Sequence, residues 1–173
     1  CVYAEPRILA AIEKLLDAVA SVAPRLFGSR LRLVPVMDGA TVQLRGGVGL
    51  TSFLVEHPPV GGGAMGCVVA LDGVRIAYSG DTRPTPRLIE IAHDVEVLIH
   101  EAGGLDNPPA ALHSQGHSTA GDAGRAARAA GVGQLILTHL PEDDTVTQLM
   151  LDEARAEFGG PVELAKDMVV VAP

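Results

Sequence analysis

At 173 residues, 47% hydrophobic and 20% charged, the chain has the size and apolar content of one globular domain with a sizeable core, which excludes a disordered tail. No apolar run approaches the length of a membrane span, and no basic, apolar, small-residue series marks a signal peptide, so a soluble, unexported protein is expected. With 21 acidic against 13 basic residues the formal charge is −8, which opposes long-range attraction to nucleic acid overall while leaving room for a local basic patch.

The chain opens on Cys1 rather than Met, and "CVYAEPRILAAIEKLLDAV" reads as the end of a strand feeding a helix. Pro6 suits a first-turn position, and Ile8, Leu9, Ile12, Leu15, Leu16 and Val19 recur at helical spacing. A domain rarely begins there, so further residues before Cys1 are expected. Short β-branched runs follow at Arg30 to Val36, Thr41 to Arg45, Leu50 to His57 and Met65 to Asp81. Asp72-Gly73 splits the last of these into a hairpin. Cys67 lies within it and reads as a small buried thiol. Two cysteines, Cys1 and Cys67, are too few for a disulfide framework, which points to the reducing cytoplasm. Further strands are predicted at Val95 to Glu101, Gln134 to His139 and Asp167 to Ala172, with helices at Pro86 to Ala92, Thr119 to Ala130 and Val146 to Phe158. A run of strands followed by alternating strand and helix predicts a layered α/β domain without repeats or linkers.

The chemically capable residues fall at the ends of these strands. His57 ends "SFLVEH", Asp81 ends "RIAYSGD", Glu101 ends "VEVLIHE" and His139 ends "QLILTH". If the strands share a sheet, their ends converge on one edge, where α/β folds place their sites. His117 precedes Ser118 and Thr119, and Thr119 with Asp122 forms a capping-box pattern that would hold it steady. Singly, each residue has an ordinary explanation as a turn or core residue. His93 is expected at a helix carboxyl end, His113 in a mobile loop, and His100, alternating with Glu101, on the opposite face of the strand. As an ordered set, His57, Asp81, Glu101, His117 and His139 point to a site.

The series "YSGDT", "LIHEAG", "GHST" and "LILTH" resembles the carboxyl-terminal half of the ribonuclease Z-like branch of the metallo-β-lactamase superfamily, in order and spacing. The resemblance runs over roughly the whole chain and implies an α/β metallo-β-lactamase fold, a four-layered αβ/βα sandwich. Residues 1–173 are then the carboxyl-terminal part of a single domain. Carried over by position, His57 resembles a ligand of a first zinc, Asp81 a bridging carboxylate and His139 a ligand of a second zinc. Mn2+ is a substitute metal. Glu101 and His117 resemble the pair serving the leaving group. The residue types suit this independently, since imidazoles and a carboxylate are good donors to Zn2+ and one carboxylate can bridge two cations.

Three departures from the family pattern stand out. An HxHxDH cluster is absent and is expected before Cys1. The interval between His57 and Asp81 is too short for the arm that grips tRNA. The motif HEAT reads "HEAG" at His100 to Gly103. Lys14 and Lys166 are the only lysines, though Arg25, Arg30, Arg32 and Arg45 form a candidate basic patch. The resulting expectation is a zinc-dependent hydrolase acting on RNA or a small phosphodiester, with tRNA 3′ processing included. It has no membrane partner, and the family implies a homodimer. The competing readings are a small-molecule hydrolase of cyclic nucleotides or lactones and a non-catalytic interaction fragment.

Overall fold

The structure, a computed structural model, describes residues 1–22, 32–57, 64–107 and 109–170. Strand β1 (Val2–Ala4) pairs in parallel with β2 (Leu33–Pro35), and α1 (Pro6–Val22) follows β1. The main sheet has seven strands lying in chain order: β3 (Thr41–Gln43), β4 (Gly49–Leu54), β5 (Met65–Leu71), β6 (Val74–Tyr78), β7 (Val97–Glu101), β8 (Gln134–Thr138) and β9 (Val162–Leu164). β3 to β6 pair antiparallel and β6 to β9 parallel. At the β5–β6 turn, Asp72 and Gly73 both have positive φ, 52° and 87°, as a two-residue hairpin turn of this kind demands. Parallel neighbours need crossovers. These are α2 (Pro86–Ile91), then α3 (Pro109–Gln115) with α4 (Ala120–Ala130), then α5 (Asp144–Phe158).

Period-two alternation sorts the strand residues onto two faces. Val68, Ala77, Leu98, Leu135 and Val162 line up across the register, Phe53 lies on the same face opposite Gly66, and all six are at most 4% exposed. They pack with Leu88 of α2, Ala123 and Ala127 of α4, and Met150 and Ala154 of α5 in a single core. The alanines let α4 approach α5 closely. A Cβ added at Gly124 would lie 2.7 Å from the Ala154 carbonyl oxygen. The other face is unevenly covered: Val97 and Ile136 are buried, Leu50, Val69, Ile76 and Ile99 are half-buried, and Leu54 and Tyr78 are exposed. No helix among the described residues is long and apolar enough to cross a membrane.

The expected elements appear with shorter strands. The Thr41 run ends at Gln43 and gives way to a 3₁₀ turn at Arg45–Gly47. The Leu50 run ends at Leu54, so His57 lies beyond its strand rather than at its tip. Arg30 and Leu31 lie outside the described residues, as do Val171 and Ala172 of the strand expected at the carboxyl terminus; 167–170 are not strand, and the last strand is Val162–Leu164 instead. Three residues are too few for alternation to register. Helix α5 starts at Asp144, because the Asp143 carboxylate accepts from the N–H groups of Thr145 (2.8 Å) and Val146 (3.1 Å). His113 is in α3, not a loop, and its Nε2 lies 2.6 Å from Asp122 Oδ2. His93 pairs with Asp94 at 2.9 Å, while Arg75 donates to the carbonyls of Ile91, the last residue of α2, and of His93.

His100 is on the core face, as expected from its alternation with Glu101, and is 1% exposed. Its Nδ1–H donates to the Glu101 carbonyl at 2.7 Å, and burial holds its imidazole down to a pKa of about 4. The native protein therefore refuses a proton that the unfolded chain accepts near pH 6.5. This stability contribution is complete above pH 6.5 and disappears as the pH falls toward 4, about 3 kcal/mol in all. Urea unfolding of the parent and of His100→Asn, whose amide can replace the Nδ1–H, should diverge in this window. The parent should lose more stability between pH 6.5 and pH 4.

Candidate metal centre

The carboxyl ends of β6, β7 and β8 lie side by side because Tyr78 pairs with Ile99 and Glu101 with Thr138. Beyond β6 the chain turns through Ser79 and Gly80 to deliver Asp81. Gly80 has φ 63°, and a Cβ there would lie 2.7 Å from the Met65 carbonyl oxygen. Only glycine meets both conditions without displacement. His139 follows β8 in the left-handed region, with φ 57°, an uncommon backbone state that recurs at functional sites.

Asp81, His117 and His139 each offer a ligand atom, and these atoms all lie within 4.8 Å of one another. Asp81 Oδ1 is 4.0 Å from His139 Nδ1. The imidazoles of His117 and His139 stack at 5.1 Å between centroids with an interplanar angle of 14°. His57 flanks this group, its ring 4.9 Å from that of His117 in an edge-on arrangement. Its Nδ1–H donates to the Gly116 carbonyl at 2.9 Å, which fixes the ring and leaves Nε2 as the donor for a cation. The tightest cluster thus contains His117, expected to serve as a proton donor, while His57, expected as a ligand, stands beside it.

Glu101 is 1% exposed. Its Oε1 accepts from the Thr82 N–H (2.8 Å) and from His117 Nδ1–H (3.0 Å), whereas Oε2 is buried with no hydrogen-bond partner among the described residues. Burial pushes this carboxyl up to a pKa of about 7, against the N–H groups of Thr82 and Ser118, which favour its charged form. Its bond to His117 Nδ1 fixes that imidazole and leaves the other ring nitrogen, Nε2, outside this bond. The capping box holds His117 from the other side, with Asp122 N donating to Thr119 Oγ1 (3.0 Å) and Thr119 N donating to Asp122 Oδ2 (3.1 Å). Two imidazoles and a carboxylate in one cluster, with a third imidazole alongside, fit a divalent cation of borderline softness.

The chain alone did not suggest roles for Ser79, Thr82 and Gly116. Ser79 Oγ accepts from Glu101 N at 3.0 Å. Thr82 is fully buried between the strand ends. Small polar residues flanking each candidate ligand in "SGDT" and "GHST" were the available signal.

Comparison with known proteins places the chain in a family. The family model of the Beta-lactamase superfamily domain matches residues 1–140. Ribonuclease Z from Myxococcus xanthus is 45% identical over 96 residues, 55% of this chain and 31% of the relative. The matched segment therefore spans about a third of that relative's length. Among solved structures, the metallo-beta-lactamase fold protein YhfI from Bacillus subtilis superposes with a TM-score of 0.72 at 24% identity, covering 87% of this chain and 60% of its own. Human tRNase Z, short form, gives 0.68 at 18% identity, covering 98% and 65%. The chain belongs to the beta-lactamase superfamily and takes the metallo-β-lactamase fold.

Proposed function

We propose that the chain is the carboxyl-terminal part of a single metallo-β-lactamase domain, in a zinc-dependent phosphodiesterase of ribonuclease Z type that acts on RNA in the cytoplasm. The observation that carries this reading is the Glu101–His117 pair, bonded at 3.0 Å and set beside Asp81 and His139. The similarity to ribonuclease Z supports the substrate class. The half-buried apolar face of the sheet supports further chain packing against it. Neutral imidazoles with one carboxylate support zinc.

In this reading Asp81 and His139 hold metal with His57, whose Nε2 is left available by Gly116. Bound divalent ions supply Lewis acidity, which acidifies water and offsets negative charge on a phosphoryl group. The chain's own contribution is proton management at the leaving group. As the oxygen of water bonds to phosphorus and the bond to the departing alkoxide breaks, His117 Nε2–H gives its proton to that alkoxide. Glu101 keeps the imidazole oriented and balances its charge. The proton lost by water passes to solvent.

Two substitutions separate the roles. Asp81→Ala should release metal, measured by elemental analysis after dialysis, and abolish turnover, since no neighbouring side chain offers two oxygens at that point. His117→Ala should keep its metal and its KM while kcat falls by roughly 10²- to 10⁴-fold. This loss should shrink on a nitrophenyl phosphodiester, whose leaving group needs little help. Metal loss in His117→Ala, or equal slowing of good and poor leaving groups, would make His117 a ligand, in keeping with its place in the tight cluster.

A further inference from the structure

The geometry points to Thr82 as the positioning residue that locks the separate pieces of the site into one frame, an inference that rests on the metallo-hydrolase reading. Thr82 is 0% exposed and makes four hydrogen bonds, three of them to other segments. Its N–H donates to Glu101 Oε1 at 2.8 Å. Its Oγ1 accepts from the N–H of Glu56 at 3.1 Å and donates to the Arg83 carbonyl at 2.7 Å. Its carbonyl accepts from Ser118 Oγ at 2.7 Å.

Each of the three partners in other segments is a site residue or is adjacent to one. Glu56 precedes His57, Ser118 follows His117, and Glu101 is itself bonded to His117. Thr82 follows Asp81. Asp81 and Glu101 are therefore one residue or one bond from Thr82, and His57 and His117 are each next to a residue bonded to it. The fifth, His139, is tied in separately, because the N–H of Ala102 donates to the carbonyl of Thr138 at 2.8 Å. Arg83 strengthens the link to the His57 segment, its N–H donating to the Glu56 carbonyl (2.9 Å) and its Nε to Glu56 Oε2 (2.8 Å).

The chemistry requires a hydroxyl here. At this buried point one atom must accept from Glu56 and donate to Arg83, and a hydroxyl does both without adding charge to a site already crowded with carboxylates. Valine has the same shape and can do neither, so Thr82→Val isolates the hydroxyl from the packing, and Thr82→Ser restores it.

The test uses the full protein and three readouts. Chelator competition should show zinc bound about 10- to 100-fold more weakly by Thr82→Val, the usual effect of losing a group that orients ligands. Thr82→Ser should return to within threefold of the parent. In metal-free protein, the Glu56 amide should exchange faster in Thr82→Val, and the imidazole resonances of His57 and His117 should move. Ser118→Ala, which removes a different bond to the same hub and is the variant to use if Thr82→Val does not fold, should shift the His117 resonance and lower kcat at least tenfold with zinc retained. Unchanged zinc affinity and ring resonances in Thr82→Val would overturn the proposal, as would a Thr82→Ser as defective as Thr82→Val. If Thr82→Val does not fold, an unmoved His117 resonance in Ser118→Ala would overturn it. If the parent binds no zinc, the metallo-hydrolase reading fails. Shifted rings in Thr82→Val would then still support the hub, and unshifted rings would overturn it.

Discussion

Tyr78 opposite Ile99 and Glu101 opposite Thr138 are the pairings on which the site depends. In parallel strands this register decides where each chain leaves the sheet, so Asp81, Glu101 and His139 emerge at one level. It also decides which residue of each strand faces the helices. A slip of one residue would drive His100 and Glu101 to each other's faces and lift Leu98, Leu135 and their neighbours out of the core. Burying one such leucine is worth about 1.5 to 3 kcal/mol. The apolar pattern that stabilises the sheet therefore also sets the position of the polar groups, and the site inherits its alignment from the core.

The loops carrying those groups are drawn close by small residues. Glycine at position 80 lets the loop pass the Met65 carbonyl, and a Cβ at Gly66 would lie 2.4 Å from the Phe53 ring. Such close approach buries backbone N–H and carbonyl groups that water can no longer reach, and each needs a partner. Short hydroxyl side chains supply them: Ser79 for Glu101, Ser118 for the Thr82 carbonyl, and Thr82 for Glu56. Longer polar side chains would satisfy the same groups only by pushing the loops apart. The recurring Ser, Thr and Gly around the candidate ligands follow from this packing as much as from chemistry.

This explains how much could be read from the chain. Strands and helices with sustained periodicity appear as expected, and the convergence was visible because His57, Asp81, Glu101 and His139 each follow an apolar run and His117 precedes a capping box. The capping box at Thr119 and Asp122 is formed as its spacing suggested. Helix α3 was hidden because its seven residues, "PAALHSQ", are too short to show an apolar stripe. The distance between His57 and the tight cluster was hidden for another reason. It depends on the Gly116 carbonyl, 59 residues away in sequence, and no local pattern carries such a contact. The part played by Thr82 was hidden in the same way, since its partners at 56, 101 and 118 meet only in the fold.

Strand β7 shows how one segment serves both core and site. Its last two residues are ionisable, adjacent and buried, and alternation sends them to opposite faces. Burial drives both toward their neutral forms, which means opposite directions of shift: His100 down to about 4 and Glu101 up to about 7. His100 is neutral throughout the physiological range and behaves as a core residue with one hydrogen bond. Glu101 is poised between its two states in the metal-free protein, with Oε1 accepting two hydrogen bonds and Oε2 without a partner among the described residues. An unpartnered buried oxygen costs about 1 to 3 kcal/mol. Because the folded pKa is raised, the protonated form favours folding below about pH 4.5, and that contribution is lost as the pH rises through 7. Core packing alone would favour an apolar residue at this position. A carboxyl held there by Thr82 and His117 is therefore best explained by what it does for His117, and the strain it adds to the fold is borne by the packed face on the other side of the same strand.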